Sequence, residues 1–148
     1  MDSSTVAMLA ALAALIALSA YFSATETAFT SLNRIRLKTR ADDGDKRAAR
    51  TLALAADYDR LLSTLLIGNN IVNNVATTIG AVLFIKLIGS AKGPTVSATV
   101  LTVVILVFGE VTPKSLAKER PEAWAIAATP LLRVLAVAFL VLQSITLM

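Results

Sequence analysis

The chain has no cysteine and no histidine. Disulfides, thiolate zinc sites, Cys- or His-based nucleophilic dyads and imidazole general bases are therefore excluded. Any site must be built from oxygen atoms and from Lys or Arg. Charge is also scarce: Asp, Glu, Lys and Arg supply 16% of the 148 residues, against roughly 25% in a soluble domain. What is abundant is apolar. Hydrophobic residues make up 56% of the chain and the mean hydropathy is +0.72. This argues against a disordered chain or a soluble α/β enzyme and points to a membrane protein. In so apolar a chain the net charge of +4 reads as membrane orientation, and no nucleic-acid partner is expected.

The few charges are segregated. Eight of the 14 basic residues fall between Arg34 and Arg60, three between Lys114 and Arg120, and Lys86 and Lys92 flank a Gly/Ser/Pro turn. Arg133 stands alone. Between these stretches lie three long apolar runs, about 5–32, 61–88 and 95–116. A bilayer core of ~30 Å takes about 20 helical residues, so each run is long enough to span. The basic stretches after the first and third runs fall on one side, which the positive-inside rule makes the cytoplasm, with the N-terminus outside. A cleaved signal peptide is the alternative for the first run, but that run lacks a basic leading region.

Residues 33–60 are expected to form two short amphipathic helices along the inner surface, broken at Asp42-Asp43-Gly44-Asp45, with basic faces toward anionic membrane lipids. A solvated loop is the plainer alternative. The apolar segment 121–148 is interrupted by Pro130 and Arg133. It reads either as a fourth span or as a helix–turn–helix in the inner leaflet, because Arg is costly at the bilayer centre and proline kinks a helix. The sequence ends inside an apolar stretch, as one domain of a longer protein would.

Polar residues inside apolar runs are costly and need a reason. Ser23, Glu26, Thr27 and Thr30 share one face of the first helix. Asn69, Asn70, Asn73 and Asn74, followed by Thr77 and Thr78, crowd the second. On the third, Gly109 and Glu110 precede Thr112, Pro113 and Lys114. Proline has no N–H and clashes with the carbonyl four residues back, so a kink or break at Gly109 is expected to free a backbone oxygen beside Glu110. Hydroxyl, amide, carboxylate and carbonyl oxygens are hard ligands that suit Mg²⁺, Ca²⁺ or Na⁺. The alternatives are ordinary ones. Asn and Thr stripes also glue helices together at ~0.6 kcal/mol per bond. Glu26 could pair with Lys114 or Arg34, and Glu110 with Lys114 at i,i+4.

Three segments, FSATETAFTSLNRIRL (Phe22–Leu37), LIGNNIVNN (Leu66–Asn74) and FGEVTPKSLAKERPE (Phe108–Glu122), together resemble the transmembrane domain of the CorC/cyclin M family of magnesium transporters. The resemblance covers nearly the whole chain. It implies an all-α membrane protein of three spanning helices plus juxtamembrane helices on the cytoplasmic side, assembled as a homodimer in the cell membrane, the inner membrane for a bacterial protein. It implies Mg²⁺ as the transported ion, with Na⁺ as the coupling ion, and no enzymatic activity. In longer members a cytoplasmic CBS-domain region follows, so the C-terminus is expected to be cytoplasmic and 121–148 to be an inner-leaflet hairpin. The family's ion site, carried over, falls on Ser23, Asn70, Asn74, the Gly109 carbonyl and Glu110. Glu26 and Lys114 match motif positions with gating or structural roles, and Asn69, Asn73 and Pro113 are further candidates for the metal site. Two rival readings keep the residues but not the flux: a Mg²⁺ sensor or scaffold that regulates another transporter, and a structural anchor whose polar stripes only hold helices together.

Overall fold

In the computed structural model, which describes residues 2–146, the chain is helical throughout. The elements are α1 (Ser3–Ser31), α2 (Arg34–Asp42), α3 (Lys46–Ala56), α4 (Tyr58–Ile88), α5 (Gly93–Val104), α6 (Thr112–Glu119) and α7 (Pro121–Thr146). A π-helical stretch, Ile105–Val111, joins α5 to α6. These three pieces form one continuous rod, Gly93–Glu119.

Each boundary has a local cause. The Asp2 side chain caps α1 by accepting from the Thr5 N–H at 2.8 Å. At the other end Leu32 turns extended, and Asn33 then caps α2 by accepting from the Arg36 N–H. The reversal between α2 and α3 uses Gly44 at φ 100°, a conformation only glycine adopts cheaply. Asp45 then caps α3 by accepting from Arg47 and Ala48 N–H groups. The Asp42–Asp45 break expected from the sequence is thus present. At the opposite end Gly93 is required by packing, because a Cβ there would sit 2.8 Å from the Ile85 backbone.

Helices α1 and α4 run antiparallel and are tied at three levels. Lys86 reaches Asp2 at one end. Ser19 donates to Asn69 near the middle at 3.1 Å, and the Thr30 and Tyr58 hydroxyls meet at 2.9 Å at the α2–α3 end. The Lys86 ammonium, with the Thr5 N–H, holds the Asp2 carboxyl well below the usual carboxylate range. Phe22 fills the space left by Gly68, where a Cβ would lie 2.8 Å from the ring. Toward the α2–α3 end Phe22, Phe29, Leu37, Leu65 and Leu132 form the larger apolar core. Toward the other end Leu12, Ala76, Leu83 and Leu101 form a smaller one.

Among the described residues four helices, not three, are long and apolar enough to cross a membrane: α1, α4, the Gly93–Glu119 rod and the Pro121–Ala138 part of α7. The helix–turn–helix expected for 121–148 is replaced by a single helix. Pro130 lies inside it and removes one intrahelical bond without ending it. The helix is anchored just before that point, by the Tyr21 hydroxyl donating to the Ala128 carbonyl at 2.7 Å and by the buried Thr51–Thr129 bond at 2.7 Å, and just after it by Leu132, buried in the larger core. Residues 147 and 148 lie outside the described residues.

Candidate functional site

Helices α1, α4 and the π-helical stretch meet at one layer. Ser19, buried on α1, donates to Asn69 of α4. Gly109 is buried against it, and a Cβ there would come within 3.0 Å of the Ser19 hydroxyl. Ser19 escaped the sequence reading because it sits among alanines and leucines. The signal was nonetheless present, since Ser19 lies four residues before Ser23 on the same helical face.

Among the described residues two buried side-chain atoms have no partner: the Ser23 hydroxyl oxygen and the Asn73 side-chain oxygen. Leaving a buried acceptor unmade costs about 1–3 kcal/mol, so such atoms call for an explanation. Ser23 lies one turn beyond Ser19 on α1, and Asn73 one turn beyond Asn69 on α4. Because the helices are antiparallel, the two orphans fall on opposite sides of the Ser19–Asn69 bond, about 12 Å apart along the axis at 1.5 Å per residue. One ion with ligands at 2.0–2.6 Å cannot touch both in this conformation.

Asn73 opens into a cleft of about 330 Å³ that it shares with Glu110, Thr77 and Thr102, walled by Leu101 and Leu106. The Thr77 and Thr102 hydroxyls donate to the carbonyls of Asn73 and Ala98 at 2.8 and 2.6 Å. Their protons are committed while oxygen lone pairs remain. The structure therefore brings Asn73 and Glu110 together with two threonines, of which Thr102 was not foreseen. Asn70 and Asn74 lie on the exposed side of α4, beside exposed Ile67, Ile71 and Val75. Glu26 and Lys114 are half-buried, and Pro113 is buried. Among the described residues Glu26, Glu110 and Lys114 make no ion pair, so the Glu26–Lys114, Glu26–Arg34 and Glu110–Lys114 pairings do not form. No cluster of three or more acidic ligands occurs among the described residues either. The chemistry on offer is one carboxylate with neutral oxygens.

The kink or break expected at Gly109 takes the form of a π-helical widening. The Thr112 N–H bonds to the Val107 carbonyl, five residues back, so the helix widens before Pro113 and stays continuous. Thr112 is thereby taken from the Phe108 carbonyl, and Pro113 has no N–H to offer either Phe108 or Gly109. Two consecutive carbonyls lose their regular donor where the sequence predicted one. Such π-bulges concentrate at functional sites.

Residues 10–147 match the family model of the cyclin M transmembrane N-terminal domain. The UPF0053 inner membrane protein YfjD of Escherichia coli (strain K12) is 44% identical over 115 residues, covering 78% of this chain and 27% of its own length. A UPF0053 protein of Haemophilus influenzae is 42% identical over 107 residues, covering 72% of this chain and 25% of its own length. A chloroplastic DUF21 domain-containing protein of Arabidopsis thaliana is 35% identical over 123 residues, covering 76% and 18%. The chain thus spans about a quarter or less of the length of these relatives. With the apolar helices described above, these matches make it a multi-pass membrane protein. The chain belongs to the family of cyclin M transmembrane domains, as the three motifs and their spacing had indicated.

Proposed function

We propose that this domain carries Mg²⁺ across the membrane by alternating access. The observation that supports the reading best is the pair of unpartnered buried oxygens, Ser23 Oγ and Asn73 Oδ1, on the two sides of the Ser19–Asn69–Gly109 layer. They mark two half-sites of a path, and the layer between them is the constriction. Glu110 supplies the one negative charge on the Asn73 side. Mg²⁺ sheds water reluctantly, so a cleft with one carboxylate and several neutral oxygens suits an ion that keeps part of its hydration and leaves again. Passage requires the Ser19–Asn69 bond to open, and a movement of α1 against α4 would do this. Na⁺ would serve as coupling ion on the same hard oxygens.

The basic α2–α3 end faces the cytoplasm in this reading, with the N-terminus outside. The protein works as a homodimer. Asn70 and Asn74 are exposed in an otherwise apolar stretch of α4, where lipid would leave their amides unsatisfied. A second copy over that face would cover them. In a longer protein a cytoplasmic CBS-domain region would follow α7.

The test is Mg²⁺ flux into liposomes holding only this protein, beside Mg²⁺ titration calorimetry of the same preparation. Glu110→Ala is expected to lose both while remaining folded. Normal flux in that variant would overturn the site. Mg²⁺ binding without flux in the intact protein would favour a sensor or scaffold that regulates another transporter.

A further inference from the structure

Helices α3 and α7 flank a second cleft, of about 840 Å³, with Arg47 and Arg50 from α3 and Arg133 from α7 on its lining. Three arginines from two helices thus line one cleft. Among the described residues none of the three makes an ion pair or a side-chain hydrogen bond. The nearby polar groups do not need them: the Thr51 and Thr129 hydroxyls lie 2.7 Å apart, so that one donates to the other while the second donates to the carbonyl four residues back on its own helix. The remaining lining is apolar. It includes Leu54, Ile126, Val134 and Val137, and the apolar track continues past the cleft along α7 to exposed Val141.

We propose that this cleft binds an anionic glycerophospholipid of the leaflet that α3 faces, with its phosphate held by Arg47, Arg50 and Arg133 and an acyl chain along Val134 and Val137. Like charges gathered without a counter-ion repel one another, and a guanidinium presents a fork that fits a phosphate bidentately. Charge alone would admit any anion. The apolar wall running on from the arginines fits an amphiphile and offers nothing to inorganic phosphate or to a soluble acidic peptide. The volume points the same way, since one water claims only about 30 Å³ in the liquid and a phosphate ion would leave most of the cleft empty. Arg133 gains its explanation too. An arginine on an apolar helix is costly in hydrocarbon, and here it joins the arginines of an amphipathic surface helix at headgroup level. Basic pockets between helices at a membrane surface select anionic headgroups on this principle. The proposal does not depend on the ion reading.

The experiment is native mass spectrometry of the purified full chain, offered phosphatidylglycerol and phosphatidylcholine with the same acyl chains. The intact chain is expected to retain phosphatidylglycerol at least tenfold more tightly. Arg47→Gln/Arg50→Gln/Arg133→Gln should lose that preference. Each arginine near the surface accounts for roughly fivefold. Arg34→Gln/Lys38→Gln/Lys118→Gln, which removes the same charge outside the cleft, should keep the preference. Equal loss in both triple variants would overturn the proposal in favour of diffuse attraction. Displacement of the lipid by inorganic phosphate or glycerol 3-phosphate would overturn it in favour of a plain anion site, and absence of preference in the intact chain would end it. Should the cleft triple variant fail to fold, as judged by circular dichroism, Arg133→Gln alone carries the test. It should weaken phosphatidylglycerol roughly fivefold and leave phosphatidylcholine unchanged, and unchanged phosphatidylglycerol retention would overturn the assignment.

Discussion

The layer where α1, α4 and the π-helical stretch meet holds neutral oxygens beside one carboxylate, whereas the cleft between α3 and α7 holds three guanidiniums and no carboxylate. Both lie in an apolar molecule, and both leave polar groups without protein partners. They differ in what they leave free. The ion layer frees oxygens: the Ser23 hydroxyl and Asn73 Oδ1. The arginine cleft frees donors. Free acceptors around one negative charge call for a cation, and free donors beside an apolar wall call for an anionic amphiphile. The geometry differs as well. The ion layer rests on glycine-sized clearances that a single methyl group would change, while the arginine cleft is wide and open.

Substitutions should therefore hurt the two regions unequally. The largest effect is expected at Gly109. A valine there would meet the Ser19 hydroxyl, which a Cβ alone approaches to 3.0 Å, and over-packing of this kind costs about 1–3 kcal/mol. Gly109→Val should lower Mg²⁺ flux more than tenfold and lower Tm. Ser19→Gly in the same chain should recover part of the loss, and no recovery would show that the two residues do not share the layer. Next comes Ser19→Ala. It removes the 3.1 Å bond to Asn69 and strands the Asn69 oxygen at a cost of about 1–2 kcal/mol. If the bond also closes the path, this variant should leak Mg²⁺ faster than the parent even as Tm falls, a combination that mere loss of packing would not give. Smaller again is the contact that joins the cleft walls. Thr51→Val or Thr129→Val alone should each cost about 1 kcal/mol. The double variant should cost less than their sum, because neither hydroxyl is then left facing an apolar partner. Additive losses in thermal unfolding would mean that the 2.7 Å contact contributes nothing by itself.

The legibility of the sequence divides along the same line. Apolar periodicity and length placed α1, α4 and the rod to within a few residues, and Asp42–Asp45 marked the α2–α3 turn, because those are local properties of the chain. Ser23, Asn73 and Glu110 could be singled out because a polar residue in an apolar run is conspicuous wherever it lies. Which of them share a level could not be read, since that depends on the antiparallel register of α1 and α4, set by contacts such as Ser19–Asn69 across 50 residues. The same reason hid the arginine cleft: Arg133 meets Arg47 and Arg50 only once α7 packs on α3. From sequence, Pro113 reads as kinking or breaking the rod, and Pro130 as kinking a span or lying in a helix–turn–helix. At Pro113 the helix widens into a π turn, and at Pro130 contacts with α1 and α3 hold it together. Local backbone adjustment accommodates the first, and tertiary packing overrides local propensity at the second.

The smallest expected effect concerns neither region directly but the turn that presents α3 to the cleft. Asp45 caps α3 through the Ala48 and Arg47 N–H groups and pairs with Arg40 at 2.8 Å. Its carboxyl is held below the usual 3.8, chiefly by the Ala48 N–H with Arg40 assisting. A carboxyl lowered by folding contributes its stability fully above its unfolded value, and the contribution is lost as pH falls through the folded one. Thermal unfolding at pH 7 should therefore separate Asp45→Ala from the parent by about 2 °C. The gap should persist at pH 5 and close only below the usual carboxylate value of 3.8. A gap that closed near pH 6 would assign the effect to another group. Because Arg47 and Arg50 ride on the helix that Asp45 starts, the same variant should also weaken phosphatidylglycerol retention slightly while leaving Mg²⁺ flux unchanged. That would separate the two polar regions with a single residue that belongs to neither.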